Sequence, residues 1–329
     1  MSMVWTSQKS TLTISKIWID GGEIRQTMLL SKCVEIWLET KKDIIKPSSY
    51  RKYQQWFNKY IITYIDIPII NIDSQMVFDL IYKRLYEQNK LSPRLCNTLL
   101  CVLREFFDFV VQSGYISKNP CENLKRIPEH KKEIEVFDPQ ECELIEEYVS
   151  AKPQSNIFGV LVSLYTGVRI GELLALTWQD VDFENRMLIV NKTISETGEI
   201  TSPKSKTSVR TIPLHDELLS LLEQKKQSAR SKYLIETKGG KTRIRVYQNK
   251  FERLLKKQGI SHRGFHALRH TFATRLIEYE VDIKTVSTLM GHSNYNTTLS
   301  IYVHVSMDMQ RKAIQKLKIK KIAGNTIIS

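Results

Sequence analysis

The chain has 329 residues, 42% hydrophobic and 26% charged, and its 49 Lys and Arg against 35 Asp and Glu leave a net charge of +14. That length predicts about two domains, and the apolar content suffices for a sizeable core. The sequence contains no apolar run long enough to span a bilayer, and its start lacks the charged-then-apolar order of a secretory signal, so a cytoplasmic protein is expected.

The positive charge is uneven. Residues 26–125 carry 14 basic against 10 acidic side chains and residues 136–329 carry 29 against 20, while residues 200–263 alone carry 16 against 5. Such a concentration suits a surface facing a polyanion, although a solvated basic face reads the same by charge alone. The five cysteines, at positions 33, 96, 101, 121 and 142, are odd in number and form no CxxC pair. They read as reduced buried thiols, neither a disulfide framework nor a zinc site.

In chain order, residues 1–27 form a short extension without a clear pattern. From Met28 the apolar residues Leu29, Leu30, Cys33, Ile36, Trp37 and Leu38 recur at helical steps. Pro47 starts a second helix through Tyr53, Trp56, Phe57 and Ile61. Ser74 is the expected N-cap of a third, and Ser92-Pro93 open a fourth that ends at Gly114. Trp37, Trp56, Phe106 and Phe107 read as core. Residues 121–135 read as a solvated linker, and Asp138-Pro139-Gln140-Glu141 as a helix start. Helices are predicted over 139–150 and 155–166 and through Leu173, Leu174 and Leu176. Strands are predicted over 186–193 and 208–213 with a turn at Thr197-Gly198, and further helices over 215–229 and 246–258, with Gly239-Gly240 turning between them.

The stretch from His262 to His304 holds five of the seven histidines. On a helix His266, Arg269 and His270 share one face. Gly291 is a plausible helix stop that leaves His292 just beyond it, and 296–304 would present Tyr302 on a short helix. Guanidinium, imidazole and phenol together can bind and attack a phosphodiester. A second arginine, Arg169, lies in the glycine-flanked TGVRIGE, and lysines Lys204 and Lys206 lie in SPKSK between strand-like runs. The His266/His270 spacing also suits zinc, but there is no HExxH glutamate and Arg269 would oppose the metal. No P-loop is present.

The ordered set TGVRIGE, SPKSKTSVRTIPL, HALRHTFAT, LMGH and TTLSIYVHV resembles the tyrosine recombinase (phage integrase) family, strongly over about 136–310 and by pattern only over 28–125. The resemblance implies a mainly α fold with a small β-sheet. An N-terminal four-helix, SAM-like core-binding domain (28–125) would grip DNA, and after a linker (126–135) an α+β catalytic domain (136–329) would end in a helix and tail. It assigns Arg169 and Arg269 to the scissile phosphate, His266 and His292 to phosphate oxygens or proton transfer, and Tyr302 to nucleophilic attack. Lys204 would be the general acid, with Lys206 able to replace it after a shift of the turn. Glu172 orients Arg169. Lys46, Arg51, Lys52, Arg94, Arg104, Lys206, Arg210, Arg243 and Arg245 are candidate DNA contacts; for any single one of the first five, ordinary helix surface is the favoured reading, and Arg210 reads as a strand residue near DNA or backbone. His262, His270 and His304 read as local structure. The implied reaction is metal- and ATP-independent site-specific recombination of double-stranded DNA through a 3′-phosphotyrosyl link and a Holliday junction. The implied assembly is a homotetramer exchanging C-terminal tails, with an excisionase or host bending protein as accessory. A type IB topoisomerase or a decayed DNA-binding relative are the alternatives.

Overall fold

The computed structural model of the chain describes residues 27–129, 134–152, 155–196, 198–201, 209–237 and 240–291. The chain divides into two compact units at the 131/132 boundary.

The first unit is four helices around an aromatic core. α1 (Leu30–Lys41) turns Trp37 and Leu38 inward. α2 (Pro47–Trp56) begins with proline at its first position, where a missing N–H costs nothing, and runs on in wider turns over Phe57–Ile62. α3 (Ser74–Phe78) likewise widens over Asp79–Gln88. Its cap is Asp73, whose carboxylate accepts from the Met76 N–H, and not Ser74 as expected. α4 (Pro93–Gln112) is capped by Ser92 as predicted. Trp37 is fully buried against Tyr53, Phe57 and Phe106 at centroid distances of 5.6, 5.5 and 5.7 Å. Each such pair adds about 0.5–1.5 kcal/mol beyond the area it buries.

Residues 121–129 are mostly exposed, as their polarity suggests, but the stretch is anchored at two points. Cys121 and Ile127 are buried in the helical core. The buried Asn97 amide accepts from the Ile127 N–H and donates to the Ile127 carbonyl, both at 2.8 Å. Arg104 donates from Nε to the Cys121 carbonyl at 3.1 Å and from Nη2 to the Leu124 carbonyl. One buried amide and one guanidinium thus fasten the segment to α4.

The second unit opens at the predicted helix start with α5 (Pro139–Ser150), which an Asp138/Glu141 capping box holds. The almost wholly buried α6 (Gly159–Thr166) ends at Gly167, left-handed at φ 64°. α7 (Ile170–Leu173) is a single turn, shorter than the helix expected through Leu176. Strands β1 (Val181–Asp182), β2 (Met187–Val190) and β5 (Arg210–Pro213) make an antiparallel sheet in the order β1-β2-β5, with Val190 opposite Arg210. β3 (Thr193–Ile194) and β4 (Ile200–Thr201) form a separate ribbon, as do β6 (Glu236–Thr237) and β7 (Gly240–Lys241); β1 and these ribbons were not foreseen. α8 (Asp216–Gln227), α9 (Ile244–Lys257), α10 (His266–Glu278) and α11 (Ile283–Met290) complete the unit. The core joins Phe158, Leu188, Tyr247, Phe251 and Leu268, and α10 packs along α6. Among the described residues no helix is long and apolar enough to cross a membrane.

Candidate active site

Gly167 places two chain segments together. Its left-handed backbone ends α6, and a Cβ there would lie 2.5 Å from the Phe272 ring of α10. Its carbonyl accepts from Arg269 Nη1 at 2.6 Å, and Arg269 Nη2 donates to the Met290 carbonyl at the end of α11. Arg269 is 1% exposed, and its Nε has no hydrogen-bond partner among the described residues. α11 stops at Gly291, left-handed at φ 61°, as the glycine predicts.

Two residues beyond Gly167, Arg169 precedes α7. Its N–H donates to Glu172 Oε2 at 2.9 Å and its Nη1 to Glu172 Oε1 at 2.8 Å. Glu172 therefore orients Arg169, as expected. The same carboxylate receives Arg210 Nη2 at 2.9 Å, and Arg210 Nε donates to the Leu289 carbonyl at 2.7 Å. Burial raises the Glu172 pKa, but the hydrogen bond and charge of Arg210, then Arg169, more than offset it and hold the carboxyl below its ordinary value.

Arg210 is where the structure departs from the sequence reading. Expected at the DNA surface, its side chain is only 4% exposed and ties β5 to α7 and α11. A detectable signal existed: strand residues alternate, and Arg210 shares parity with the buried Ile212.

Two guanidinium groups, Arg169 and Arg210, thus share one carboxylate, and the third, Arg269, lies within their field on backbone carbonyls. Burial first, then the charges of Arg169 and Arg210, push the Arg269 pKa down. A guanidinium nevertheless keeps its proton near neutrality, so the cluster has an unmet need for an anion. His266 stands one turn before Arg269 with one side open to solvent. Burial of its ring against protein, then His270, Arg269 and Arg169, bring its pKa to about 4, so the free imidazole is neutral at pH 7. His270 meets it edge-to-face, with centroids 4.6 Å apart and planes at 88°.

The structure therefore brings Arg169, His266 and Arg269 together, with Glu172 and Arg210 behind them. Lys204, Lys206, His292 and Tyr302 lie outside the described residues, as do His304 and the C-terminal tail. Lys46 is exposed at the N-cap of α2, Arg51 and Lys52 are exposed in its middle, and Arg94 is exposed in the first turn of α4. Arg243 and Arg245 are exposed where α9 begins, Arg245 with Glu252 3.9 Å away. Arg104 is instead engaged by the 121–124 carbonyls.

Comparison with known proteins identifies the family and the fold. Residues 135–309 match the phage integrase family, and residues 29–85 match its N-terminal SAM-like domain. A tyrosine recombinase XerC-like protein of Caldanaerobacter subterraneus subsp. tengcongensis is 32% identical over 328 residues, spanning 89% of this chain and 83% of that protein. The ICEBs1 integrase of Bacillus subtilis is 26% identical over 303 residues, spanning 86% and 81%. The fold is shared with the Tn1549 transposon integrase solved with circular intermediate DNA (TM-score 0.75, 23% identity, 87% of this chain and 99% of that one). It is shared also with a lambda integrase tetramer on a Holliday junction (TM-score 0.66, 18% identity, 88% and 89%). The chain belongs to the phage integrase family and is a tyrosine site-specific recombinase.

Proposed function

We propose that the protein is the integrase of a mobile element, cutting and rejoining double-stranded DNA at defined sites. The observation that carries this reading is the cation cluster, in which Arg169 and Arg210 share the single carboxylate of Glu172 and, among the described residues, Arg269 is held by backbone carbonyls alone, so the three guanidinium groups carry more charge than that one carboxylate balances. A scissile phosphate supplies the balancing anion. As it becomes pentacoordinate, negative charge grows on its non-bridging oxygens, and each preorganised donor lost from such a site costs about 3 kcal/mol.

In the proposed step Tyr302 Oη bonds to phosphorus and its proton passes to a neighbouring base or to water. The bond from phosphorus to the 5′-oxygen breaks, and that oxygen takes a proton from Lys204 or, in its place, Lys206. His266 and His292 donate to phosphate oxygens. The phosphotyrosyl bond conserves the energy of the broken phosphodiester, so the reverse attack by a 5′-hydroxyl needs no nucleotide cofactor.

Residues 136–329 would perform the chemistry. Residues 28–125 would hold the duplex, with Lys46, Arg51, Lys52 and Arg94 toward phosphates. The exposure of all four, with Lys46 at the N-cap of α2 and Arg94 in the first turn of α4, where the helix dipole favours an anion, supports that placement. Four subunits exchanging C-terminal tails would pair two sites, with an excisionase or host bending protein setting direction, in the cytoplasm at the nucleoid.

A nicked duplex carrying the attachment site, mapped from the junctions of the element in the host chromosome, tests this. The wild-type chain is expected to form a covalent protein–DNA adduct. Tyr302→Phe should form none while binding the duplex with unchanged affinity. An adduct formed by Tyr302→Phe would refute the assignment.

A further inference from the structure

Arg169 and Arg269 reach the site from different segments, one from the turn before α7 and one from α10. The backbone from Gly167 to Arg169 ties them along one side, because the Gly167 carbonyl accepts from Arg269 Nη1 at 2.6 Å. α7 is a single turn, too short to hold its direction by its own hydrogen bonds, so the spacing of the pair needs a second tie.

Arg210 of β5 supplies that tie. Its Nη2 donates to Glu172 Oε2 at 2.9 Å, and Glu172 also takes the Arg169 N–H and Nη1. Its Nε donates to the Leu289 carbonyl at 2.7 Å, and the next carbonyl, that of Met290, accepts from Arg269 Nη2. The bonds close a circuit that leaves Arg169 through Glu172, crosses the end of α11 and returns through Arg269 to Gly167. Both guanidinium groups on α11 meet carbonyls that a helix C-terminus leaves open, where the dipole favours a cation. The base of the circuit is stiff, since Arg210 is paired with Val190 in the sheet and its side chain is 4% exposed.

Charge balance does not account for this residue. Glu172 already has Arg169 as its counter-charge, and a second guanidinium adds to the field that pushes the Arg269 pKa down. What Arg210 adds is geometric: a planar fork reaches acceptors on two different elements, which an ammonium on a single stem does not reproduce. We propose that Arg210 is a positioning residue for strand cleavage, bonding Glu172 and the end of α11 at once and so setting the spacing of Arg169 and Arg269 to the scissile phosphate. The inference rests on the reading that those two arginines hold the phosphate oxygens.

The test follows adduct formation by the full-length chain on the nicked duplex at saturating DNA. Arg210→Met is expected to slow it about tenfold, short of the 10²–10³-fold that losing a direct donor costs. Affinity for the duplex should stay within about twofold, because no phosphate contact is removed. Arg210→Lys keeps the charge without the fork and should be slowed nearly as much; should the methionine variant fail to fold, as its melting will show, the lysine variant takes its place throughout. The deciding comparison places the Arg210 change in an Arg169→Met background whose rate is still measurable. Because Arg210 acts through Arg169, the double variant should match Arg169→Met within about twofold. Losses that multiply would mean that Arg210 acts on its own, at the phosphate or through the fold at large, and would overturn the proposal. So would a wild-type rate in either Arg210 variant. If Arg169→Met itself keeps the wild-type rate, the phosphate reading falls and the proposal falls with it; if only the Arg210 variants keep it, the phosphate reading stands.

Discussion

Replacing Glu172 with glutamine probes the centre of the site with minimal change of shape. The carboxylate is 4% exposed and balances Arg169 and the equally buried Arg210, with Arg269 contributing a third positive field. The amide keeps one oxygen for one guanidinium but turns an NH₂ toward the other, so a donor faces a donor. Breaking a buried pair by removing one partner leaves an uncompensated charge and costs about 3–5 kcal/mol. For a unit of this size, where each kcal/mol shifts the melting temperature by about 2–4 °C, the Glu172→Gln midpoint should fall by about 6–20 °C at pH 7. The pH dependence has a definite sign. Because the folded pKa of Glu172 lies below the ordinary value, its contribution is complete above the unfolded carboxyl pKa and is lost as pH falls through the folded one. The gap between wild type and variant should therefore close in acid. Calorimetric melting of the full chain from neutral to acidic pH gives both quantities. A variant within 1 kcal/mol of wild type at pH 7, or a gap independent of pH, would show that this carboxylate does not organise the arginines.

Two further outcomes test neighbouring parts of the site. Gly167→Ala must adopt φ 64° and place a methyl 2.5 Å from Phe272 and 3.1 Å from the Met290 sulfur. Strain and overpacking together should cost about 2–4 kcal/mol. Adduct formation should fall further than Phe272→Leu lowers it, because the Gly167 carbonyl holds Arg269; a fully active, stable Gly167→Ala chain would contradict this packing. His266, with a free pKa of about 4, should gain a proton when the DNA phosphate arrives beside it, so its contribution to affinity is present at low pH and lost as pH rises through the bound-state pKa. Fluorescence anisotropy between about pH 5 and 8 should show affinity falling with pH, and a flatter profile for His266→Gln. An identical slope in the variant would place the proton elsewhere.

How far these parts could be read from the sequence depended on whether their cause was local. The four N-terminal helices and the Asp138/Glu141 start are written in apolar steps and caps three residues apart, so they were legible. Gly167 and Gly291 mark the helix ends that bring Arg269 its two carbonyls, and both glycines are visible in the sequence even though the bonds are not. The Ser74 cap was off by one because two adjacent residues can both cap, and only the geometry gives the Met76 N–H to Asp73. The polar stretch after Pro120 is largely exposed, as its composition says, but nothing local reveals that one amide, Asn97, matches both backbone groups of Ile127, 30 residues away.

Arg210 makes the same point where it matters for chemistry. As a basic residue in a basic segment it looked like a DNA contact, and charge counting cannot distinguish an arginine facing phosphate from one facing a buried glutamate. Burying it costs desolvation, which Glu172 and the Leu289 carbonyl offset only if α7, β5 and α11 all arrive together. An arginine that is stable only when three separate segments have docked makes the site conditional on the fold. Arg169 and Arg269, proposed to hold the phosphate, therefore come within each other's field only in the assembled unit, where their mutual repulsion would be available for a phosphate to relieve.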